Sequence, residues 1–162
     1  MALNAYLTLK GESTGEIKGS VTQAGREDSI MVIGVDHEVE SPRDAASGLP
    51  TGKRRHKPIT ITKEIDKSTP LFYTLLVNNE NITEWKLQFW TPSPSGKEIQ
   101  HYTISLTNAS ISGIRAEMLN NKYPENMQHK EREHISFTYQ KIEWTWEDGG
   151  ITAEDDWEAP SA

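Results

Sequence analysis

Apolar and polar residues alternate along most of this chain, and the points where the alternation shifts mark its elements. Leu3, Ala5, Leu7 and Leu9 alternate with Asn4, Tyr6, Thr8 and Lys10, the period-two signature of a half-buried strand. Gly11 to Gln23 carries Gly11, Gly15 and Gly19 and reads as a connection. Ile30 to Val35 is a nearly continuous apolar run between Asp28-Ser29 and Asp36-His37. A strand apolar on both faces is buried on both. In a small β domain, another subunit can bury the second face. Glu40–Arg55, with Pro42, Gly48, Pro50 and Gly52, is a loop of a length that is usually functional or disordered.

From His56 to Asn79 a strand runs directly into a helix. Ile59, Ile61 and Ile65 share one parity, and Thr60, Thr62 and Glu64 the other. Pro70 suits the first helical position, where its missing N–H costs nothing. Thr69 is then the expected N-cap. Leu71, Phe72, Leu75 and Leu76 follow at helical spacing, and Asn78-Asn79 closes the helix, because Asn tolerates the left-handed conformation. A helix of about ten residues is not stable alone. Burying each of those four side chains is worth about 1.5–3 kcal/mol, so the helix is expected to lie on a sheet.

The second half is all strand. Trp85, Leu87 and Phe89 share one face of Ile82–Trp90, and Pro92 to Gly96 is a turn. Tyr102, Ile104 and Leu106 hand over to Ala109 and Ile111 with a change of parity. Ile135, Phe137 and Tyr139 do the same before Ile142, Trp144 and Trp146. Each switch predicts a β-bulge or bend inside one strand, as in sheets that curl at barrel corners. Glu117–Arg132 is a polar excursion. Residues 147–162 read as an acidic, solubilising tail with Trp157 as a late anchor. The pattern predicts one domain spanning residues 1–162, mainly β, with a single short α-helix.

Composition narrows the partners. The net charge of −7 argues against nucleic acid or an anionic membrane, and no apolar run is long enough to insert into a membrane. With no cysteine in the chain, disulfides and thiolate chemistry are excluded. The amino-terminal stretch lacks a basic region followed by an apolar run, so no cleavable signal peptide is expected.

Candidate chemistry is sparse. Gly48 to Lys53 departs from the spacing of a phosphate-binding loop. Lys53-Arg54-Arg55-His56-Lys57 has no interleaved aromatic platform for nucleic acid; it is expected to complement an acidic surface on another copy of the chain. His129 and His134 point to opposite faces of a strand, a poor metal pair. Glu154-Asp155-Asp156 lacks the pattern of a calcium loop. No catalytic constellation, cofactor site or metal site is marked, and the chain is read as a non-enzyme.

The pattern His56-x-Pro58-x-Thr60-x-Thr62-Lys63-x-x-Asp66-Lys67-Ser68-Thr69-Pro70 resembles the Hcp (haemolysin-coregulated protein) family of type VI secretion systems. So do the Ala5-Tyr6-Leu7-x-x-Lys10-Gly11 segment, the Tyr102–Ala109 strand and the Glu133–Trp144 strand, so the likeness covers essentially the whole chain in order. The resemblance implies a β-barrel-like arrangement of two antiparallel sheets flanked by one short α-helix, and a homohexameric ring that stacks into a tube. The tube would be assembled in the bacterial cytoplasm inside a contractile sheath and topped by a spike protein. It would then be secreted without a cleavable signal, with small effectors carried in the lumen. The alternative is a soluble β-barrel that carries a ligand or effector without assembling. Within the resemblance, Arg43, Asp44, Lys53, Arg54 and Arg55 of the long loop are candidate ring-stacking residues, and Ile30, Val32, Tyr73 and Val77 candidate subunit contacts. The motif residues His56, Pro58, Thr60, Lys63, Asp66, Lys67, Ser68, Thr69 and Pro70 are expected to be folding signals.

Overall fold

The computed structural model describes residues 2–160. In chain order the strands are β1 (Ala5–Gly11), β2 (Gly15–Glu16), β3 (Ile30–Val32), β4 (Gly34–Asp36), β5 (Val39–Glu40), β6 (Arg55–His56) and β7 (Ile59–Glu64). Helix α1 (Thr69–Val77) follows. Then come β8 (Ile82–Pro92), β9 (Glu98–Thr107), β10 (Ser110–Glu117), β11 (Arg132–Thr138), β12 (Lys141–Trp146) and β13 (Ile151–Asp156). One sheet runs β13-β12-β9-β8-β1, with β2 and β3 both paired to β1; a second runs β10-β11-β7-β4; β5 and β6 form a small separate ladder. All of these pairings are antiparallel.

The inward parity of each strand fills the space between the two sheets. Leu7, Leu87, Ile104 and Ile142 come from the large sheet, and Ile59, Ile61, Ile135 and Phe137 from the small one. Trp85 meets Phe137 edge-on at 5.4 Å. The helix packs against β10, and Phe72 and Leu75 are fully buried while Leu71 and Leu76 pack at the margin of the core. This is the helix-on-sheet packing that its length requires.

Three corners join the sheets, and they are what the changes of parity record. β9 lies in the large sheet and β10 in the small one, with Asn108 in a left-handed conformation between them (φ 49°). The same crossing separates β11 from β12 at Tyr139-Gln140. Each switch is therefore a corner between two separate strands in different sheets, which corrects the expected bulge or bend inside one strand. A bulge does follow the first corner, between Ile111 and Gly113. The third corner divides the apolar run: β3 pairs β1, whereas β4 pairs β7, and the Ile33 amide donates to the Thr62 carbonyl at 2.8 Å.

That crossing corrects one expectation. Ile30 and Val32 are 0% and 1% exposed inside the chain's own core, so their side chains are not presented to another subunit. The outward positions of the run are Ile33 and Val35. Ile65 is corrected too. The strand ends at Glu64, and Ile65 is exposed. The inward position in line with Ile59 and Ile61 belongs instead to Lys63, whose side chain is fully buried.

The helix starts one residue earlier than expected. Ser68 occupies the cap position without a side-chain cap bond, and Pro70 lies within the first turn. Thr69 does not cap the helix. Its hydroxyl accepts from the Asp66 amide at 3.1 Å and donates to the Glu133 carboxylate at 3.0 Å. Asn79 is left-handed (φ 45°), as its place after the helix predicts.

The residues after Glu147 are not a free tail. Ile151–Asp156 is β13, an edge strand paired along its length with β12. Its charged residues suit an edge, where they discourage pairing with another chain. The last two residues of the expected tail, Ser161 and Ala162, lie outside the described residues.

Candidate functional site

The long loop is a built hairpin. β5 and β6 form its base, with Val39 opposite His56 and Glu40 opposite Arg55. Arg43 bridges to Pro50 further out, and the Thr51 amide donates to the Pro42 carbonyl at 3.0 Å. At the tip, the Asp44 carboxylate accepts from the Ser47 hydroxyl and amide, each at 2.7 Å. Those bonds, the hydroxyl's first, hold the Asp44 carboxyl below the usual carboxylate range. Gly48 completes the turn with φ 73°, a conformation that favours glycine. Leu49 is exposed beside it.

The basic residues of this loop fall into two groups. Arg43 is exposed on the hairpin. Arg55 pairs with Glu40 at 3.2 Å, and Lys57 reaches Glu38 and Glu40 at 3.3 and 3.7 Å. Lys53 and Arg54 turn instead to the carboxy-terminal turn of their own chain. Lys53 Nζ donates to the Glu158 carbonyl at 2.7 Å. Arg54 grips the Asp155 carboxylate with two nitrogens, at 2.6 and 2.9 Å, and also donates to the Asp156 and Ala159 carbonyls. The expectation that this cluster meets acid on another copy is therefore corrected for Lys53 and Arg54. Their complement lies in the same chain, about a hundred residues on in sequence (|i−j| of 101 for Arg54 and Asp155).

His56 completes the anchorage. Its side chain is fully buried. Nε2 lies 2.7 Å from Asp155 Oδ2, and Nδ1 lies 2.8 Å from the Tyr139 hydroxyl. Trp157 stacks on the His56 ring at 5.5 Å and meets Tyr139 edge-on at 4.9 Å, so the anchor role of Trp157 holds. The Tyr139 hydroxyl also meets His37 Nε2 at 2.9 Å. Desolvation works to raise the Asp155 carboxyl, but Arg54 and His56 outweigh it and keep it low. Burial, with the Asp155 charge, pushes the Tyr139 hydroxyl up. Burial and the nearby His56 hold His37 below its usual range, against a smaller opposing effect of Asp36.

A second cluster explains the motif. Lys63 on β7 is in direct register with Glu133 on β11, and Nζ sits 2.6 Å from Oε1. Asp66 Oδ1 and Thr69 Oγ1 approach the same ammonium at 3.1 and 3.2 Å, and Asp66 also accepts from the Ser68 amide and hydroxyl. Lys63, Asp66, Ser68 and Thr69 thus tie the strand, the turn and the helix to one buried charge. Pro58, Lys67 and Pro70 are exposed, and Thr60 bonds Ser136 across the outer face of the small sheet at 2.8 Å. Sequence reasoning missed Glu133 and Asp155. Glu133 was legible as the inward-parity neighbour of Ile135 and Phe137, opposite in charge to the inward Lys63. Asp155 carries no local signal, because its partners are far away in sequence.

Of the remaining candidate contacts, Tyr73 and Val77 lie on the outer side of α1, 38% and 72% exposed. His134 bonds Thr62 at 2.9 Å, and among the described residues no group of three or more His, Asp or Glu side chains could hold a metal ion. The large sheet carries an open hollow of about 740 Å³ of mixed lining, with Thr8, Lys10, Lys86 and Gln88 beside Leu9, Trp85 and Leu106.

The family model described as "Type VI secretion system effector, Hcp" matches residues 6–146. The chain belongs to the Hcp family. The "Major exported protein" of Pseudomonas aeruginosa is 40% identical over 171 residues, an alignment covering 100% of this Hcp-family chain and 99% of that relative. A solved structure described as "Crystal structure of Hcp protein" matches with a TM-score of 0.90 at 30% identity, covering 96% of this chain and 98% of that one. The secreted protein Hcp3 from Pseudomonas aeruginosa matches with a TM-score of 0.78 at 32% identity, covering 96% and 99%. The mainly β architecture with one short helix is therefore the Hcp fold, and the chain is a type VI secretion tube or effector protein. Among the described residues, no helix is long and apolar enough to cross a membrane.

Proposed function

We propose that this chain is the structural subunit of a type VI secretion tube. Six copies close into a ring, rings stack into a tube inside a contractile sheath, and a spike protein caps the tube. The tube is assembled in the bacterial cytoplasm and is then exported from the cell, carrying small effectors in its lumen. The subunit performs no catalysis. The observation that carries this reading is the end-to-end match to an exported relative.

Three features support it. A ring needs a heterologous interface whose rotation closes, and the edges of both sheets and the exposed Tyr73 and Val77 offer surface for one. An ordered hairpin projecting from its own small ladder suits contact between stacked rings. The hollow on the large sheet offers a wall against which cargo can lie.

Sedimentation of the purified protein over a wide concentration range tests the reading. A particle with about six times the monomer mass is expected from a closed ring. A stable monomer throughout would contradict it. The hollow also favours a second reading, a carrier that acts without assembly. Cargo binding that persists after the ring is broken would favour the carrier.

A further inference from the structure

The hairpin has its own backbone ladder, yet its base is also held from outside. Lys53, Arg54 and His56 all end on the turn that follows β13 or on Asp155 just before it. None of these contacts is needed to close β5 on β6. They do determine how the hairpin stands relative to the large sheet, because β13 is the edge strand of that sheet.

Behind this contact runs a chain of four groups: Asp155, His56, Tyr139 and His37. One phenolic hydrogen serves two imidazoles. In the first arrangement His56 is neutral and donates Nε2–H to Asp155. Tyr139 donates to His56 Nδ1, and His37 donates Nε2–H to the phenolic oxygen. In the second, His56 carries both hydrogens and donates Nδ1–H to Tyr139, which turns its own hydrogen to His37 Nε2. Either arrangement keeps all three contacts of the chain. If both imidazoles are charged, both must donate to Tyr139. Its hydrogen is then left with the Lys57 carbonyl at 3.5 Å, the outer limit of a hydrogen bond. The chain accommodates one added proton but not two.

The charged neighbours are few. Asp155 and Arg54 face His56, Asp36 lies beside His37, and the Lys57 ammonium is engaged by Glu38 and Glu40. Trp144 and Trp157 cover the rings without adding charge.

We propose that the segment Asp155–Ala159 is a latch that sets the orientation of the 40–55 hairpin, and that a second proton on the His37–His56 pair opens it. With both rings charged, the closed arrangement leaves the Tyr139 hydrogen only the Lys57 carbonyl at 3.5 Å, whereas a released hairpin lets His37 donate to water. Closure is therefore favoured above the ordinary histidine range and weakens as pH falls through it. The latch itself does not depend on the tube reading; its consequence for tubes rests on the hairpin making ring contacts.

Amide hydrogen exchange on the full-length protein, at about pH 8 and about pH 5, spans the histidine transition. After correction for intrinsic exchange, opening of residues 40–57 and 151–160 should rise several-fold in acid, while β1 and β8 do not respond. His37→Gln keeps a partner for Tyr139 but cannot gain charge, so its acid response should be lost. Equal protection at both pH values in the native protein, or a response that survives in His37→Gln, would overturn the latch. Imidazole nitrogen NMR of the unaltered protein is a second measurement. His37 should take up its proton below the ordinary histidine range, and uptake at or above that range would overturn the proposal. Tube yield is read separately. A latch that opens in acid with no loss of sedimentable tubes would remove the hairpin from stacking and leave the latch in place.

Discussion

Lys63 and Glu133 face each other across β7 and β11 with 2.6 Å between Nζ and Oε1, and neither side chain is exposed to solvent. Among the described residues Glu133 Oε2 is buried without a partner, so the cluster is satisfied around the ammonium and not around the whole carboxylate. Removing one member of such a pair strands the other charge, which costs about 3–5 kcal/mol. Lys63→Met or Glu133→Leu alone should therefore lower the urea midpoint severely. The double variant should recover most of the loss, because it removes both charges and keeps the volume. Equal damage in the single and double variants would show that packing, not charge, dominates the site.

Glu80 clamps the β1–β2 turn to the end of α1. Its carboxylate accepts from the Thr14 amide at 2.9 Å, the Thr14 hydroxyl at 2.8 Å and the Ser13 amide at 3.1 Å. The Thr14 amide is the main reason its carboxyl lies below the usual range. A depressed carboxyl contributes stability above its unfolded value and loses it as pH falls through the folded one. The unfolded value is about 4.3, so the loss should appear on acidification below it. Glu80→Gln should flatten that part of the stability profile, measured as urea midpoint against pH.

Gly11 sits directly under this clamp. A Cβ there would lie 2.2 Å from Glu80 Oε2 and 2.9 Å from Leu75 Cδ2. Gly11→Ala must displace both the carboxylate and a core leucine. Overpacking of this kind costs about 1–3 kcal/mol, and thermal unfolding should shift downward accordingly. Pairing it with Glu80→Ala should restore part of the loss.

The two groups of basic residues on the hairpin predict two different phenotypes. Arg43→Glu should leave folding and ring mass intact while reducing tube formation and secretion. Arg54→Glu should also reduce tubes, but by releasing the Asp155–Ala159 turn, visible as faster exchange there. Tube yield and export unchanged in Arg43→Glu would exclude that residue from stacking.

Tyr73 and Val77 should behave as surface residues within one subunit. Replacing both with Asp should change monomer stability by no more than about 0.5 kcal/mol each, as at other exposed sites. Ring mass should fall, measured by sedimentation. A ring that survives the double replacement removes this face of α1 from the interface.

Much of the fold was legible because its signals are local. Leu71, Phe72, Leu75 and Leu76 announce the helix, Asn79 ends it, and Pro92 to Gly96 turns β8 into β9. The parity switches at Asn108 and Gln140 were visible, but their meaning was not. A bulge and a corner both shift the alternation, and only the pairing partners of the flanking strands tell them apart. β13 escaped notice because Ile151–Asp156 lies at the sheet edge with little burial, so no alternation was imposed on it. Lys63 was hidden differently: a charged residue on the inward parity reads as an interruption until its partner on β11 is known. The basic loop looked available for a second copy because Asp155 is close in space and remote in sequence.

The central claim is that this chain builds rings. Imaging the purified protein in vitreous ice tests it most directly, with particles classified by their symmetry axis. The account predicts sixfold rings with an open axial pore, some stacked along that axis. Single particles without rotational symmetry, at every concentration that stays in solution, would contradict it.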